Sequence, residues 1–208
     1  MENAARFRIE SGRTRADLIG CVACLVDAFA CIIFLLLPAT PTNVGLLCIV
    51  LLVDQITCIV GYCVMYRRLL VAKPKLAELG FYLLISGTLF LAGHNVVEAS
   101  TRLNFFTLTY FTANVFDILL ELLVTFTLPF GLAIYAWLIV HSPPLRRWLG
   151  FMIGVQAALL FMALGSFVFP WLSDFVTSQL FTVYAIILAI AKAVWFLWPV
   201  AGSEQVAP

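Results

Sequence analysis

The chain has 208 residues, of which 63% are hydrophobic and 11% charged, and its mean hydropathy is +1.07. Soluble domains are only about half apolar, so this composition excludes a soluble globular protein and indicates a membrane protein. The formal net charge of +1, with lysines and arginines scattered in small groups, excludes a basic face for nucleic acid. At about 20 residues for each crossing, the chain accommodates six membrane helices.

Apolar segments separated by polar or proline-containing ones predict where these helices lie. The expected spans are residues 17–37, 44–66, 78–98, 113–140, 148–169 and 175–200, between tails formed by residues 1–16 and 201–208. The first span has the position of a signal peptide, but its length and Asp27 favour a membrane helix. Pro129 is expected to bend the fourth span. The sequence therefore predicts an all-α fold, one helical membrane domain over residues 17–200.

Basic residues predict how the bundle is oriented in the membrane. Ten of the twelve lysines and arginines lie in the N-terminal tail and in the segments after the second and fourth spans, all on one side of a six-span topology. The two others are Arg102, on the opposite side, and Lys192, inside the sixth span. Because basic segments stay in the cytosol, both termini are expected there.

All six cysteines lie in the first two apolar segments, so they do not form the disulfide framework of a secreted domain. Cys21 and Cys24 form a CxxC pair, which is found in thiol redox proteins. Since no loop offers a partner pair, packing inside the helices is the favoured interpretation of these cysteines.

Ionisable residues inside the apolar segments are the main functional signal, because charged groups in a bilayer are costly and face an interior partner or cavity. They are Asp27, Asp54, His94, Glu98, Asp117, Glu121 and Lys192. In a helix, His94 and Glu98 lie one turn apart on the same face. Asp117, Glu121 and Thr125 follow one stripe of the fourth helix. A polar cavity between the third, fourth and sixth helices is expected.

These groups also have purely structural interpretations. His94 and Glu98 would lie at the membrane interface, where polar residues are tolerated. Asp117 and Glu121 are the expected ion-pair partners of Lys192. Trp195 would belong to an interfacial aromatic belt. Asp27 and Asp54 are expected to form hydrogen bonds between helices rather than to act as catalysts.

The same residues resemble a known family. His94-x-x-x-Glu98, Glu121 inside the following helix, Pro144-Leu145-Arg146 before the next helix and Trp195-x-x-x-Pro199 in the last one are similar in order and spacing to the emopamil-binding protein family. That family comprises sterol Δ8–Δ7 isomerases and relatives that share the EXPERA membrane domain. The similarity covers residues 44–200 and leaves the first helix as an extra element before the family's five.

The resemblance implies a membrane-embedded isomerase of the endoplasmic reticulum that shifts a double bond in a sterol or terpenoid through a carbocation. It gives catalytic roles to His94, Glu98 and Glu121, and it places Asp117, Thr125, Lys192 and Trp195 around the substrate. The face of Trp195 would stabilise the cation, and no metal or organic cofactor is required. Lys192 stands where the family has Asn, so its ammonium must be ion-paired or neutral.

Two other functions fit the same residues. A membrane terpene cyclase would use the same acid chemistry to start a cyclisation. A non-catalytic protein would hold a sterol or another membrane lipid in the cavity. A retinal protein with Lys192 as its Schiff base would need a seventh span. The sequence leaves open whether the chain forms a homodimer.

Overall fold

The structure, a computed structural model, describes residues 15–37, 40, 43–70, 73–103, 110–142, 147–165 and 178–198. Its helices are α1 (Arg15–Leu36), α2 (Val44–Leu69), α3 (Pro74–Leu103), α4 (Tyr110–His141), α5 (Arg147–Gly165) and α6 (Ser178–Leu197). The described ranges contain no strand. The predicted all-α fold with six helices is confirmed. Apart from the first residues of α1, the two predicted tails lie outside the described ranges.

Five of the helices are long and apolar enough to cross a membrane. The apolar part of α5, Arg147–Ala163, is shorter than the others. Large apolar side chains are exposed on the outer faces of the helices, with Phe29 at 63% and Phe151 at 62%. Because such surfaces are costly in water, they indicate a hydrocarbon environment, and the chain is an integral membrane protein.

The helices form a ring in chain order, in which each packs against the next and α6 packs against α1. Neighbouring helices run in opposite directions. Arg68 near the end of α2 contacts Asp17 near the start of α1, and Lys73 just before α3 lies 4.5 Å from the ring centre of Trp137 near the end of α4. We call the end of the bundle that carries these contacts the basic end. Among the neighbouring helices, α5 and α6 share the smallest packing contact.

Glycines let α3 and α4 approach each other closely. A Cβ atom on Gly87 would lie 2.6 Å from Thr127 Oγ1, and one on Gly131 would lie 2.8 Å from Leu84 Cγ. Small residues at such positions allow close van der Waals packing, which drives helix association where lipid is as apolar as the side chains. Pro129 lies within α4, which is helical on both sides of it.

Arg68 joins three helices at the basic end. Its guanidinium donates to Asp17 Oδ1 at 2.9 Å and to the backbone oxygens of Trp195 and Phe196 at 3.1 and 2.9 Å. It also lies 4.5 Å from the ring centre of Trp195. Since the last carbonyls of a helix lack intrahelical donors, Arg68 satisfies the end of α6 while holding it to α1 and α2.

Candidate functional site

A cavity of about 330 Å³ lies at the centre of the bundle, lined by residues of all six helices. Small-molecule sites typically measure ~300–1,000 Å³, so this cavity is of the lower end of that size. Its wall is largely apolar, with side chains such as Phe34, Leu91, Leu128 and Phe181. The cavity therefore suits an apolar molecule that meets only a few polar groups.

Two carboxyl groups, Asp27 on α1 and Asp54 on α2, line this cavity with Cys31 beside them. One oxygen of each carboxyl and Cys31 Sγ lie within 4.8 Å of one another. The Cys31 thiol is 3.6 Å from Asp54 Oδ1, and Gln55 Nε2 donates to Asp54 Oδ2 at 3.0 Å. The side chains of Asp27 and Gln55 are buried. We call Asp27 and Asp54 the acid pair.

Lys192 on α6 supplies the positive charge next to the acid pair. Its Nζ lies 3.6 Å from Asp27 Oδ2, and the two side chains are 8% and 7% exposed. The expected pairing of Lys192 with Glu121 or Asp117 is wrong. The reason is the order of the ring, in which α6 packs against α1 and α5, so that Asp27 is the carboxylate within its reach.

Charge balance assigns a proton to the acid pair. Two carboxyls and one ammonium form a neutral cluster only if one carboxyl stays protonated, and an uncompensated charge at such a depth is costly. Because Lys192 contacts Asp27, Asp54 is the member of the pair that would carry the proton. The structure places Asp54 beside a cavity whose lining is largely apolar.

Asp27, Cys31 and Asp54 also have the donor atoms of a metal site. The Lys192 ammonium 3.6 Å from Asp27 already provides the positive charge that a metal ion would bring. A bound cation would meet a like charge at this distance. The cluster therefore fits proton transfer better than metal binding.

The α5 side of the cavity contributes one further polar atom, the side-chain oxygen of Gln156. This Oε1 is buried and has no hydrogen-bond partner among the described residues. Buried polar atoms normally have a partner, so a hydroxyl group of a bound molecule would satisfy it. Nearby, Tyr184 Oη on α6 donates to the backbone oxygen of Met152 on α5 at 2.6 Å, a bond across the slight contact between these helices.

His94 and Asp117 form a separate contact between α3 and α4. Nδ1 of His94 lies 2.7 Å from Asp117 Oδ1, with the side chains 23% and 34% exposed. Neither residue lines the cavity, although the next residue on α3, Asn95, does. Glu98 belongs to α3, but its side chain lies outside the part of the chain that is described.

The other predicted site residues lie apart from the cavity. Glu121 is exposed, and the hydroxyl of Thr125 donates to the Glu121 backbone oxygen. Trp195 is buried and packs under Arg68 at the basic end. Among the predicted site residues with described side chains, only Lys192 lines the cavity.

The prediction that Asp27 and Asp54 make contacts between helices agrees with the structure, in which the Cys31 thiol on α1 contacts Asp54 on α2. The prediction did not place the two carboxyls together beside the cavity. The signal for a larger role was present in the spacing. Asp27 lies nine residues before the end of α1 and Asp54 ten residues after the start of α2, so a tight hairpin places both carboxyls at one depth.

Comparison with protein-family models, curated proteins and solved structures finds no match to this chain. The fold and the site define an integral membrane helical bundle in which two neighbouring carboxyl groups line a largely apolar cavity.

Proposed function

We propose that this protein is a membrane-embedded enzyme that isomerises a sterol or terpenoid by protonation and deprotonation through a carbocation, with Asp54 as the acid. The observation that carries the proposal is the acid pair that lines an apolar cavity within the membrane bundle. A weakly basic alkene competes poorly with water for a proton, so an acid for this reaction must be held in a dry site.

In each cycle Asp54 donates one proton to the substrate and receives one proton from it. The O–H bond of Asp54 breaks as the π electrons of the substrate double bond form a new C–H bond, which leaves a tertiary carbocation. A neighbouring C–H bond then loses its proton to the Asp54 carboxylate, and its electron pair becomes the shifted double bond. Protons and electrons balance over the cycle, so the step needs no oxidant, reductant or cofactor.

The charges around Asp54 suit this intermediate. Lys192, Asp27 and protonated Asp54 are neutral together, and donation of the proton leaves one negative charge that the carbocation balances. Lys192 does not oppose the cation, because Asp27 compensates its charge. Tyr62 also lines the cavity, and its ring centre lies 5.8 Å from Lys192 Nζ, so the ring helps to accommodate the ammonium beside the acid pair.

This proposal moves the chemistry away from residues that the family resemblance favours. Glu121 is exposed and Trp195 packs under Arg68, so their positions do not support contact with a molecule in the cavity. His94 contacts Asp117 and does not line the cavity. Its role would be limited to relaying protons through the neighbouring residue Asn95, which does line the cavity. Asp54 takes the role of the acid because it lines the cavity and has no cation of its own.

Solvent deuterium tests the proposal directly. The purified protein in lipid nanodiscs is incubated in D₂O with a Δ8 sterol, farnesol or geranylgeraniol, and products are analysed by mass spectrometry. An isomer carrying one deuterium at the protonated carbon is expected. Asp54→Asn should lower its formation by about 10²–10⁴-fold, the usual contribution of a general acid. Glu78→Gln, a similar change at an exposed carboxylate on α3, is the matched control.

Other results would replace this function. An isomer without deuterium, formed in a single turnover by excess protein equilibrated in D₂O, would exclude protonation by the protein as its origin. A ring product that carries deuterium would indicate a terpene cyclase, and saturable binding without a product would indicate a lipid-binding protein. If Glu98→Gln or Glu121→Gln removes the activity and Asp54→Asn keeps it, the acid lies where the family resemblance places it.

A further inference from the structure

A second concave surface lies on the outside of the bundle, between α4 and α5. This groove has a volume of about 420 Å³ and is lined on α4 by Ala136, Trp137, Val140 and His141 and on α5 by residues from Gly150 to Ala158. Its larger apolar side chains are exposed, Phe151 at 62% and Trp137 at 40%. None of its lining residues carries a carboxylate.

The groove is somewhat shorter than one lipid leaflet is thick. Along α5 it extends from Gly150 to Ala158, over which the helix rises by about 12 Å at ~1.5 Å for each residue. Half of a hydrocarbon core that is ~30 Å thick is about 15 Å. The groove is therefore long enough to hold most of an acyl chain of one leaflet.

Basic side chains lie next to the groove at the basic end of the bundle. Lys73 Nζ lies 4.5 Å from the ring centre of Trp137, and the His141 ring stacks on the same indole at 4.6 Å. Arg147 lies one turn before Gly150 and Phe151, on the same side of α5. The basic groups and the apolar groove together match the phosphate and the acyl chain of one molecule.

The small residues of α5 do not leave this face free for a second copy of the chain. Gly150 and Gly154 have the spacing of a helix-pairing motif. They are used within the chain, because a Cβ atom on Gly150 would lie 2.7 Å from Val140 Cγ2 and 2.9 Å from Ala136 O. Because α4 and α5 approach closely at these small residues, the groove forms between Trp137 and Phe151.

We infer that this groove binds an anionic phospholipid of the leaflet at the basic end, with its acyl chain against Trp137 and its phosphate at Lys73 and Arg147. The site lies on the outer surface of the bundle, apart from the central cavity, and does not depend on the proposed function. The charge of the headgroup would select the lipid, since each basic residue near the surface contributes to attraction of anionic lipids.

Quenching of Trp137 fluorescence by brominated lipids tests the site. The protein is placed in phosphatidylcholine nanodiscs that contain brominated phosphatidylserine or brominated phosphatidylcholine, and the signal of Trp137 is obtained by subtracting the Trp137→Phe variant. Brominated phosphatidylserine should quench at the lower mole fraction. Lys73→Gln and Arg147→Gln should each lower this preference about fivefold. Arg67→Gln, an exposed base on α2 at the same end, is the matched control.

A variant that fills the groove makes the test independent of charge. Gly154→Leu should weaken quenching by both lipids, because a Cβ at this position already contacts Ala136 Cβ at 3.7 Å and the rest of the side chain must enter the groove. Gly45→Leu, on α2 where a Cβ meets nothing within 4 Å, should leave it unchanged. Equal quenching by the two lipids, or a preference that survives in the Lys73→Gln/Arg147→Gln double variant, would overturn the inference. So would a dimer that Gly154→Leu dissociates, since a second copy would then occupy the groove.

Discussion

Replacing Lys192 by methionine removes the ammonium that balances Asp27 inside the bundle. The pair is buried, with side-chain exposures of 8% and 7% and an Nζ–Oδ2 distance of 3.6 Å. Removal of one member of a buried ion pair costs about 3–5 kcal/mol, because the other charge stays buried without compensation. We therefore expect Lys192→Met to lower the free energy of unfolding by about 3 kcal/mol or more.

The size of the loss separates an unpaired charge from lost packing. Methionine keeps most of the volume of lysine, so packing alone should cost less than about 1.5 kcal/mol. Combining Lys192→Met with Asp27→Asn removes both charges and should recover most of the loss. Combining it with Asp117→Asn changes a carboxylate that contacts His94 instead, and should recover none of it.

The wild type, the single variants Lys192→Met, Asp27→Asn and Asp117→Asn, and the two double variants make six proteins. Their unfolding in mixed detergent micelles, followed by circular dichroism, measures these free energies. The reasoning predicts a coupling energy of about 2 kcal/mol between Lys192 and Asp27, and none between Lys192 and Asp117. A double variant with Asp27→Asn that is no more stable than Lys192→Met alone would refute the ion pair. The assignment of the proton to Asp54 would then lose its basis as well.

Three further predictions concern the fold. Arg68→Met should lower the free energy of unfolding by about 2–3 kcal/mol in the same assay, because it removes charge-assisted hydrogen bonds to Asp17 and to the end of α6. Gly87→Ala should lower the free energy of unfolding by about 1–3 kcal/mol, because its Cβ would lie 2.6 Å from Thr127 Oγ1 and would push α3 away from α4. Unchanged stability would show that the two helices adjust to the added methyl group without strain. A glycosylation acceptor inserted into residues 38–43 should be modified in microsomes and one fused after Pro208 should not, as the basic residues predict, and the opposite pattern would invert the topology.

The sequence predicts the helices well because the signal for a membrane helix is local. A run of about 20 apolar residues can satisfy its backbone in lipid only as a helix, so length and hydropathy nearly determine the element. Arg68 and Lys73, after the second span, do lie at the same end as the start of α1 and the end of α4, as their contacts with Asp17 and Trp137 show. These features need no knowledge of which helices touch.

The partners of the buried charges depend on the order of helices around the bundle, which local patterns do not contain. Lys192 pairs with Asp27 because the last helix closes the ring against the first. The contact between His94 and Asp117 is different, since α3 and α4 follow each other and the two residues lie nine and seven residues from the facing helix ends. Counting residues back from the turn between two consecutive helices predicts the contact between His94 and Asp117. The pair of Lys192 and Asp27 can be predicted only when the order of all the helices around the bundle is known.

Among neighbouring helices, α5 and α6 share the smallest contact, and this bears on how the concentration of a membrane-dissolved ligand is expressed. Gln156 on α5 and Thr182 on α6 both line the cavity, and the Tyr184–Met152 hydrogen bond joins the two helices beside it. The proposed sterol or terpenoid substrate would dissolve in the bilayer, and an approach between α5 and α6 would keep it out of water. Its effective concentration would then be its mole fraction in the surrounding lipid. Adding inert phospholipid at a fixed amount of substrate should slow a subsaturated reaction in proportion, while enlarging the aqueous volume should leave its rate unchanged.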